Sequence, residues 1–400
     1  MGKQKFTNPF RPGAGHKPPY LAGRGKETNE FERLLLQDVI LENLILTGLR
    51  GVGKTVLLDT LKPIAMKSGW LWVGTDLSEA ASLSEERIAV RLLSDLSSLT
   101  AHLPVQWTEQ KFVGFQKTNV VSRLDYATLE ALFRSTPGLV ADKLKAVLEL
   151  VWNGVSGFKL KGIIFAYDEA QNMTDHAERN EYPLSLMLDC FQSIQKKEIP
   201  FMLVLAGLPT LFPKLVEART FSERMFRVVF LDRLSDHDSK DAIQKPIESS
   251  NCPVKLVVDT IVQASGGYPY FIQFICREAY DSYLQQSEAG IEQPNVFIND
   301  ILRKLDSDFF AGRWAKATDR QRELMYVIAK TEHADSEFTL QAVSQASKEL
   351  LSKPFSPSQI SQMFLKLGDA GLIYKNRHGK YAFAVPLLHK FICRQEDGTH

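Results

Sequence analysis

Up to about residue 232, short apolar runs alternate with longer segments in which apolar residues recur at helical spacing. The runs NLILTG, WLWVGTDL, GIIFAYDEA, PFMLVLAG and RVVFLDRL read as strands, the first and the last of them buried. Between them, KTVLLDTLKPIAMKSG, SEERIAVRLLSDLSSL, YPLSLMLDCFQSIQKK and PTLFPKLVEA read as helices, the second opening on a capping box. ETNEFERLLLQDVILEN forms a further helix before the first strand, with Thr28 or Asn29 as its cap. Strands that alternate with helices need right-handed crossovers. The pattern therefore predicts an α/β fold, a parallel sheet with helices on both faces. Residues 103–160 are not needed by this scheme and read as an insertion, although their helical part, GLVADKLKAVLELVWNGV, is strongly apolar.

From residue 233 the pattern turns helical through SDHDSKDAIQKPI, PVKLVVDTIVQAS, YPYFIQFICREAYDSYLQQ and VFINDILRKLDSDFFAGRW. From 318 it changes again, to the helices DRQRELMYVIAK, LQAVSQASKELL and SPSQISQMFLKLGDAG. The hairpin LIYKNRHGKYAFAV follows, with a glycine-containing turn at 376–379. Three helices and a β-hairpin are the pattern of a winged helix-turn-helix. Residues 1–20, rich in Pro, Gly and basic residues, read as an extended arm. The expected organisation is an arm (1–20), an α/β core (21–232), a helical lid (233–317) and a winged-helix domain (318–400).

Composition narrows this little. The 400 residues suit two or three domains, and a net charge of +1 favours no class of partner. Cys190, Cys252, Cys276 and Cys393 are far apart and lack metal-binding or disulfide spacing, which fits a reducing compartment. The N-terminus lacks the apolar segment of a secretory signal, and Phe6 stands where a myristoylation motif needs Ser or Thr. No apolar run approaches the ~18 residues that span a membrane. A soluble, cytoplasmic protein without a membrane partner is expected.

The chemistry centres on GLRGVGKT, Gly48–Thr55, which fits G-x-x-x-x-G-K-[ST] between a strand and a helix. Glycines let a phosphate chain approach the backbone, whose N–H groups form an anion nest beside the positive end of the following helix. Lys54 would reach the β- and γ-phosphates and the Thr55 hydroxyl would ligate Mg²⁺. The candidate nucleotide contacts here are Gly48, Gly51, Val52, Gly53, Lys54, Thr55 and Val56. Asp168, at the end of GIIFAYDEA, can hold the same metal through water, and Glu169 can orient and polarise the attacking water. His176 reads as a surface loop residue. Arg219, Arg224 and Arg227 precede the last strand, and one of them, Arg224 for preference, could serve a neighbouring subunit as a trans-acting finger.

On these motifs the chain resembles a P-loop ATPase of the AAA+/STAND group, most similar to bacterial and archaeal ATP-binding proteins related to origin-recognition-type initiators. PPYLAGRGKETNEF resembles the G-R-x-x-E box of that group, which folds against adenine and implicates Leu21, Gly23 and Arg24. DEAQ (168–171) resembles its second phosphate-site motif, and SERMFR the segment that carries the arginine finger. SGGYPYFIQ resembles the G-x-P motif of the lid, which places Gly267, Tyr268 and Pro269 near the base. The resemblance implies ATP and Mg²⁺ as ligands and ATP-dependent self-assembly. Two departures stand out. The fourth strand ends in LAGLPT, with only Thr210 polar where a polar sensor is usual, and GYPY replaces the lid arginine, with Arg277 further along the helix. Both fit a slow switch between ATP and ADP states rather than fast turnover.

Two outputs stay open. The third helix of the C-terminal module offers Ser356, Ser358, Gln359, Ser361, Gln362 and Lys366 to bases and phosphates, and the wing offers Lys375, Arg377, His378 and Lys380. The arm adds Lys3, Lys5, Arg11, Lys17, Arg24 and Lys26, which could reach a DNA backbone or a neighbouring subunit; equally, Phe6, Phe10 and Tyr20 could pack it onto the core. One output is therefore a DNA-associated ATPase switch. The other is a signalling or defence ATPase of STAND type, whose winged helix and 103–160 insertion bind a protein partner. A helicase would need a second RecA-like core, and a winged helix stands there instead.

Overall fold

The computed structural model describes residues 7–398 apart from 14, 102–105, 114–115, 251–253, 255 and 293, and for 106–122 the backbone only. Among the described residues the strands are β1 (Asn43–Thr47), β2 (Trp70–Val73), β3 (Gln106–Val113), β4 (Gln116–Arg123), β5 (Gly162–Tyr167), β6 (Phe201–Gly207), β7 (Phe226–Phe230), β8 (Phe338–Thr339), β9 (Ile373–Arg377) and β10 (Lys380–Phe383). By contacts the chain divides into two compact units. One comprises Met1–Arg24, Gly48–Val56 and Leu231–His400; the other comprises Gly25–Thr47 and Leu57–Phe230.

The second of these holds the main sheet, ordered β2-β5-β6-β1-β7 with every neighbouring pair parallel and helices on both faces. Every residue of β1, β5 and β6 is buried, as a strand covered on both faces requires. The register aligns Ile45 with Leu205 and Leu205 with Tyr167. Thr47 and Tyr167 therefore both lie at the carboxyl edge of the sheet, with β6 between their strands. Asn43 fixes the other end. Its buried side chain donates to Met225 O (3.2 Å) and accepts from Leu203 N (2.7 Å), tying β1 to its neighbours.

The stretch 103–160 holds a strand pair and two α-helices, of which Tyr126–Ser135 already buries Leu129 and Phe133 in the core. β3 and β4 pair only with each other, as an antiparallel two-stranded sheet. The helix Val140–Val155, by contrast, buries Leu144, Val147, Leu148, Val151 and Val155 completely, in one cluster with Phe165, Phe191 and Phe201. Its apolar face makes it part of this unit's core. Phe165 contacts Phe191 and Phe201 with ring centroids 4.9 and 5.3 Å apart.

The other unit contains the helices Asp236–Ser250, Val258–Ser265, Pro269–Glu288 and Ile298–Leu305, then a π-helical turn over Asp306–Phe310. The helices Asp319–Ala329, Leu340–Leu350 and Pro357–Asp369 follow, with Thr318, Thr339 and Ser356 as their caps. A three-stranded sheet, β8-β10-β9, and the helix Leu388–Asp397 complete it. The π turn directs Asp306 and Phe310 inward. Phe310 stacks on Phe391 (5.1 Å, 17°), and Arg394 Nε donates to the buried Asp306 carboxylate at 2.8 Å.

The arm also packs here. Phe10 is 2% exposed and meets Tyr280 edge-on. Asn8 Nδ2 donates to Arg277 O (2.9 Å) and Asp281 Oδ1 (2.7 Å), and Arg11 N donates to Gln273 Oε1 (3.1 Å). Lys245 Nζ lies over the Tyr20 ring and donates to its hydroxyl at 2.8 Å. Lys3, Lys5, Phe6 and Cys252 lie outside the described residues.

Candidate functional site

β1 ends at Thr47, the glycine-rich loop follows, and a helix starts at Lys54. Gly51 (φ 79°) and Gly53 (φ 92°) flank the buried Val52 in the left-handed region, which a residue with a Cβ adopts only under strain. Such alternation turns successive N–H groups to one side and makes an anion nest. Gly48 has a different reason: a Cβ there would fall 2.3 Å from Leu231 O. Lys54 is buried, and its ammonium donates to Gly48 O and Leu49 O, both at 2.9 Å. Thr55 and Val56 are half-buried in the first turn of the helix.

Two candidates distant in sequence come to this loop. Arg24 is 6% exposed, and its guanidinium donates to Val52 O and Asp232 O, each at 2.8 Å. Pro269 opens the Pro269–Glu288 helix, and the next residue, Tyr270, donates its N–H to Gly51 O at 3.1 Å. Proline at this position forfeits no hydrogen bond and presets the helical φ. Tyr268, whose burial raises its hydroxyl pKa, precedes it, and Gly267 adopts φ 77°. Leu21 is half-buried just ahead of Arg24, and Gly23 has φ 63°.

Asp168 and Glu169 leave the carboxyl edge of the sheet after β5. Asp168 is 4% exposed, and its Oδ1 accepts from Glu169 N at 2.7 Å. Its backbone bridges to Asp76, and its carbonyl accepts from Leu77 N at 2.9 Å. Glu169 itself is left-handed (φ 51°, ψ 32°). A residue with a side chain pays about 1–2 kcal/mol for that conformation. The Glu169 carboxylate accepts a short hydrogen bond from Gln171 Nε2, and Gln171 Oε1 accepts from Leu208 N at 3.0 Å. Lys214 Nζ donates to Gln171 O (2.9 Å) and Thr174 Oγ1 (3.2 Å), and burial lowers its pKa. Gln171 lies in the DEAQ run, yet neither its role nor that of Lys214 can be read from sequence. The signal there is limited to that run and the apolar strand end beside it. His176 is half-buried, with Nε2 3.1 Å from Ser82 O, which ties two loops together.

The three arginines separate cleanly. Arg219 grips Asp189 with two hydrogen bonds (2.8 and 2.7 Å), and Arg227 pairs with Glu42 and Glu30. Arg224, on the short helix Ser222–Met225, is exposed and has no carboxylate partner among the described residues.

In the C-terminal module Ser358, Gln362 and Lys375 are exposed and Lys380 is half-buried. Gln359 is partly committed: Ser356 N donates to its Oε1 (3.0 Å) and its own N–H donates to Ser356 Oγ (3.3 Å). Arg377 is committed too. It donates twice to Glu337 Oε2, at 3.0 and 2.6 Å, and this pairing lowers the Glu337 pKa. Leu365 is 71% exposed on the helix face that carries Ser358 and Gln362. Among the described residues no group of His, Cys, Asp or Glu forms a metal cluster, and no helix is long and apolar enough to cross a membrane.

A family model described as a domain of unknown function, DUF8462, matches residues 307–392. No curated protein matches the chain. Among solved structures, the ORC2 protein of Aeropyrum pernix in its ADP form is similar, with a TM-score of 0.55 and 14% identity over 96% of each chain. The same protein in ADPNP–ADP complexes gives a TM-score of 0.51 and 13% identity, over 97% of this chain and 98% of that one. At this identity the likeness is one of fold.

Proposed function

We propose that the chain is an ATP-binding and ATP-hydrolysing switch of AAA+/STAND type, soluble and cytoplasmic, whose C-terminal winged helix engages duplex DNA. One observation carries the reading: Gly51 and Gly53, both at positive φ in a G-x-x-x-x-G-K-T loop, lie between a central strand and a helix that starts at Lys54. The similar ORC2 structures hold ADP and ADPNP, which agrees with it.

In this reading the loop amides and Lys54 bind the phosphates, with Arg24, Leu21 and Pro269 toward the base. Magnesium, when bound, neutralises phosphate charge, and Thr55 and Asp168 are the residues that would hold it. A carboxylate that is 4% exposed at the sheet's carboxyl edge suits such a ligand. Glu169 takes a proton from water as the water oxygen bonds to the γ-phosphorus and the bond to the β-phosphate oxygen breaks, giving ADP and phosphate. Arg224 of a second copy stabilises the charge that develops, in an ATP-dependent homo-oligomer.

Ser358, Gln359, Gln362, Lys375, Arg377 and Lys380 are the proposed DNA contacts. A second reading draws on Leu365 and on the Arg377–Glu337 pair. An exposed leucine and a neutralised arginine suit a protein surface better than a phosphate backbone. On that reading the module and the 103–160 segment bind a protein partner, in a signalling or defence ATPase.

Duplex-DNA anisotropy with ATP and with ADP, across a salt series, separates the two. Binding that tightens with ATP and weakens steeply with salt supports DNA. Tight ATP binding without any duplex binding favours the protein partner.

A further inference from the structure

We propose that Gln171 is the positioning residue for Glu169: it fixes the Glu169 carboxylate by tethering it to the carboxyl end of β6. This rests on the reading of Glu169 as the base that activates water. β6 runs out in LAGLPT, so no polar side chain appears at the strand's own exit before Thr210. Gln171, arriving from the exit of β5, supplies a polar group at that place.

The amide has one orientation. Leu208 N–H needs an acceptor and meets Oε1 at 3.0 Å, so the NH₂ faces Glu169, which can only accept. Gly207 leaves the space for it, since a Cβ there would lie 2.7 Å from Gln171 Oε1. Gln171 is 9% exposed, and the chain is held on its carboxyl side: Lys214 Nζ donates to its carbonyl at 2.9 Å, and the next residue, Asn172, donates through Nδ2 to Leu77 O at 2.9 Å. The left-handed backbone of Glu169 sends the carboxylate back toward this amide within two residues. Both ends of the tether are therefore held by structure outside the loop. An untethered glutamate samples several rotamers, and a displacement of about 1 Å costs a reacting group on the order of 10²-fold in rate.

The test uses the full chain and its two isosteric or near-isosteric variants, Gln171→Glu and Gln171→Leu. Gln171→Glu keeps an acceptor for Leu208 N–H but sets a carboxylate against Glu169; Gln171→Leu removes both bonds. Steady-state ATP hydrolysis, the Kd of a fluorescent ATP analogue, and amide exchange at Leu208 are measured together. The expected result is a kcat lowered by about 10–100-fold in both variants, less than the ~10²–10⁴-fold that a general base contributes, because Glu169 itself remains. KM and Kd stay within about twofold, and Leu208 exchange accelerates in Gln171→Leu alone. A merely structural role would move Kd or thermal stability and spare kcat in folded protein. An unchanged kcat in folded Gln171→Glu overturns the proposal, and this variant decides if Gln171→Leu fails to fold. A wild-type chain that binds ATP without turnover overturns the hydrolysis reading and the positioning role with it, and it shows in the wild type before any variant is compared.

Discussion

Arg24 ties the glycine-rich loop to the segment after β7, and its removal has a calculable cost. In Arg24→Met the stem is kept and the guanidinium is lost, with its two bonds of 2.8 Å to Val52 O and Asp232 O. A hydrogen bond to a charged group contributes about 1.5–3 kcal/mol. Asp232 is an exposed residue whose carbonyl can take up water, so most of that bond is replaced. Val52 is 1% exposed, and stranding its carbonyl costs about 1–3 kcal/mol on its own. The loop's binding conformation should therefore lose about 2–3 kcal/mol, which corresponds to about 30–150-fold in affinity. Arg24→Lys offers a point donor rather than a fork and reaches one carbonyl, so about half the energy and five- to tenfold in affinity should be lost. Titration with a fluorescent ATP analogue, with thermal unfolding in parallel, reads both variants. Affinity within twofold of wild type in folded Arg24→Met would show that the loop holds its shape without this tie, and the argument from burial would be wrong.

Three further outcomes are expected. Arg224→Ala should lower turnover at least tenfold while leaving ATP affinity and thermal stability unchanged, because its side chain is exposed and has no carboxylate partner among the described residues; activity returning on mixing with Glu169→Gln protein would place the arginine in trans, and unchanged turnover would exclude it. Glu337→Gln frees Arg377, so the β9–β10 hairpin gains a positive charge; if it contacts duplex as proposed, binding should tighten and the log–log salt slope steepen by about 1, and an unaltered slope would refute that contact. Burial, with Lys390 and Arg394 adding repulsion and Asp335 opposing it, lowers the His389 pKa from its ordinary 6.5 to about 4. The unfolded chain then binds the extra proton first, so stability is unaffected above pH 6.5 and falls between pH 6.5 and 4, by about 3 kcal/mol in all. His389→Leu should flatten that part of a urea-stability profile against pH, and an unchanged slope would assign it to other groups.

Three strands of the main sheet, β1, β5 and β6, were legible because both-face burial leaves an unbroken apolar run, as in NLILT and FMLVLAG; β7, at the sheet edge, is largely exposed and was legible from its short apolar run alone. The loop was legible because phosphate chemistry demands particular residues at fixed spacing. The β3–β4 hairpin was not: QWTEQKFV and QKTNVVSR lack the alternation that a half-buried strand shows. The Val140–Val155 helix is legible as a helix but not as core, since periodicity reveals an apolar face and not what covers it. The role of Gln171 is hidden in the sequence for a similar reason. A side-chain amide that bridges two strand exits depends on sheet order, and sheet order is not written in local sequence. The same holds for Arg377, whose partner Glu337 lies 40 residues away.

The interleaving of segments also sets a schedule for synthesis. The stretch Gly48–Val56 leaves the ribosome early, yet it clusters by contacts with Leu231–His400. Leu231 O closes on Gly48, and Tyr270 N–H fastens Gly51. A nascent chain halted near residue 230 has every strand of the main sheet but neither of these fasteners. Both contacts need chain beyond residue 230, so the loop acquires its final shape only as residues 231–400 emerge.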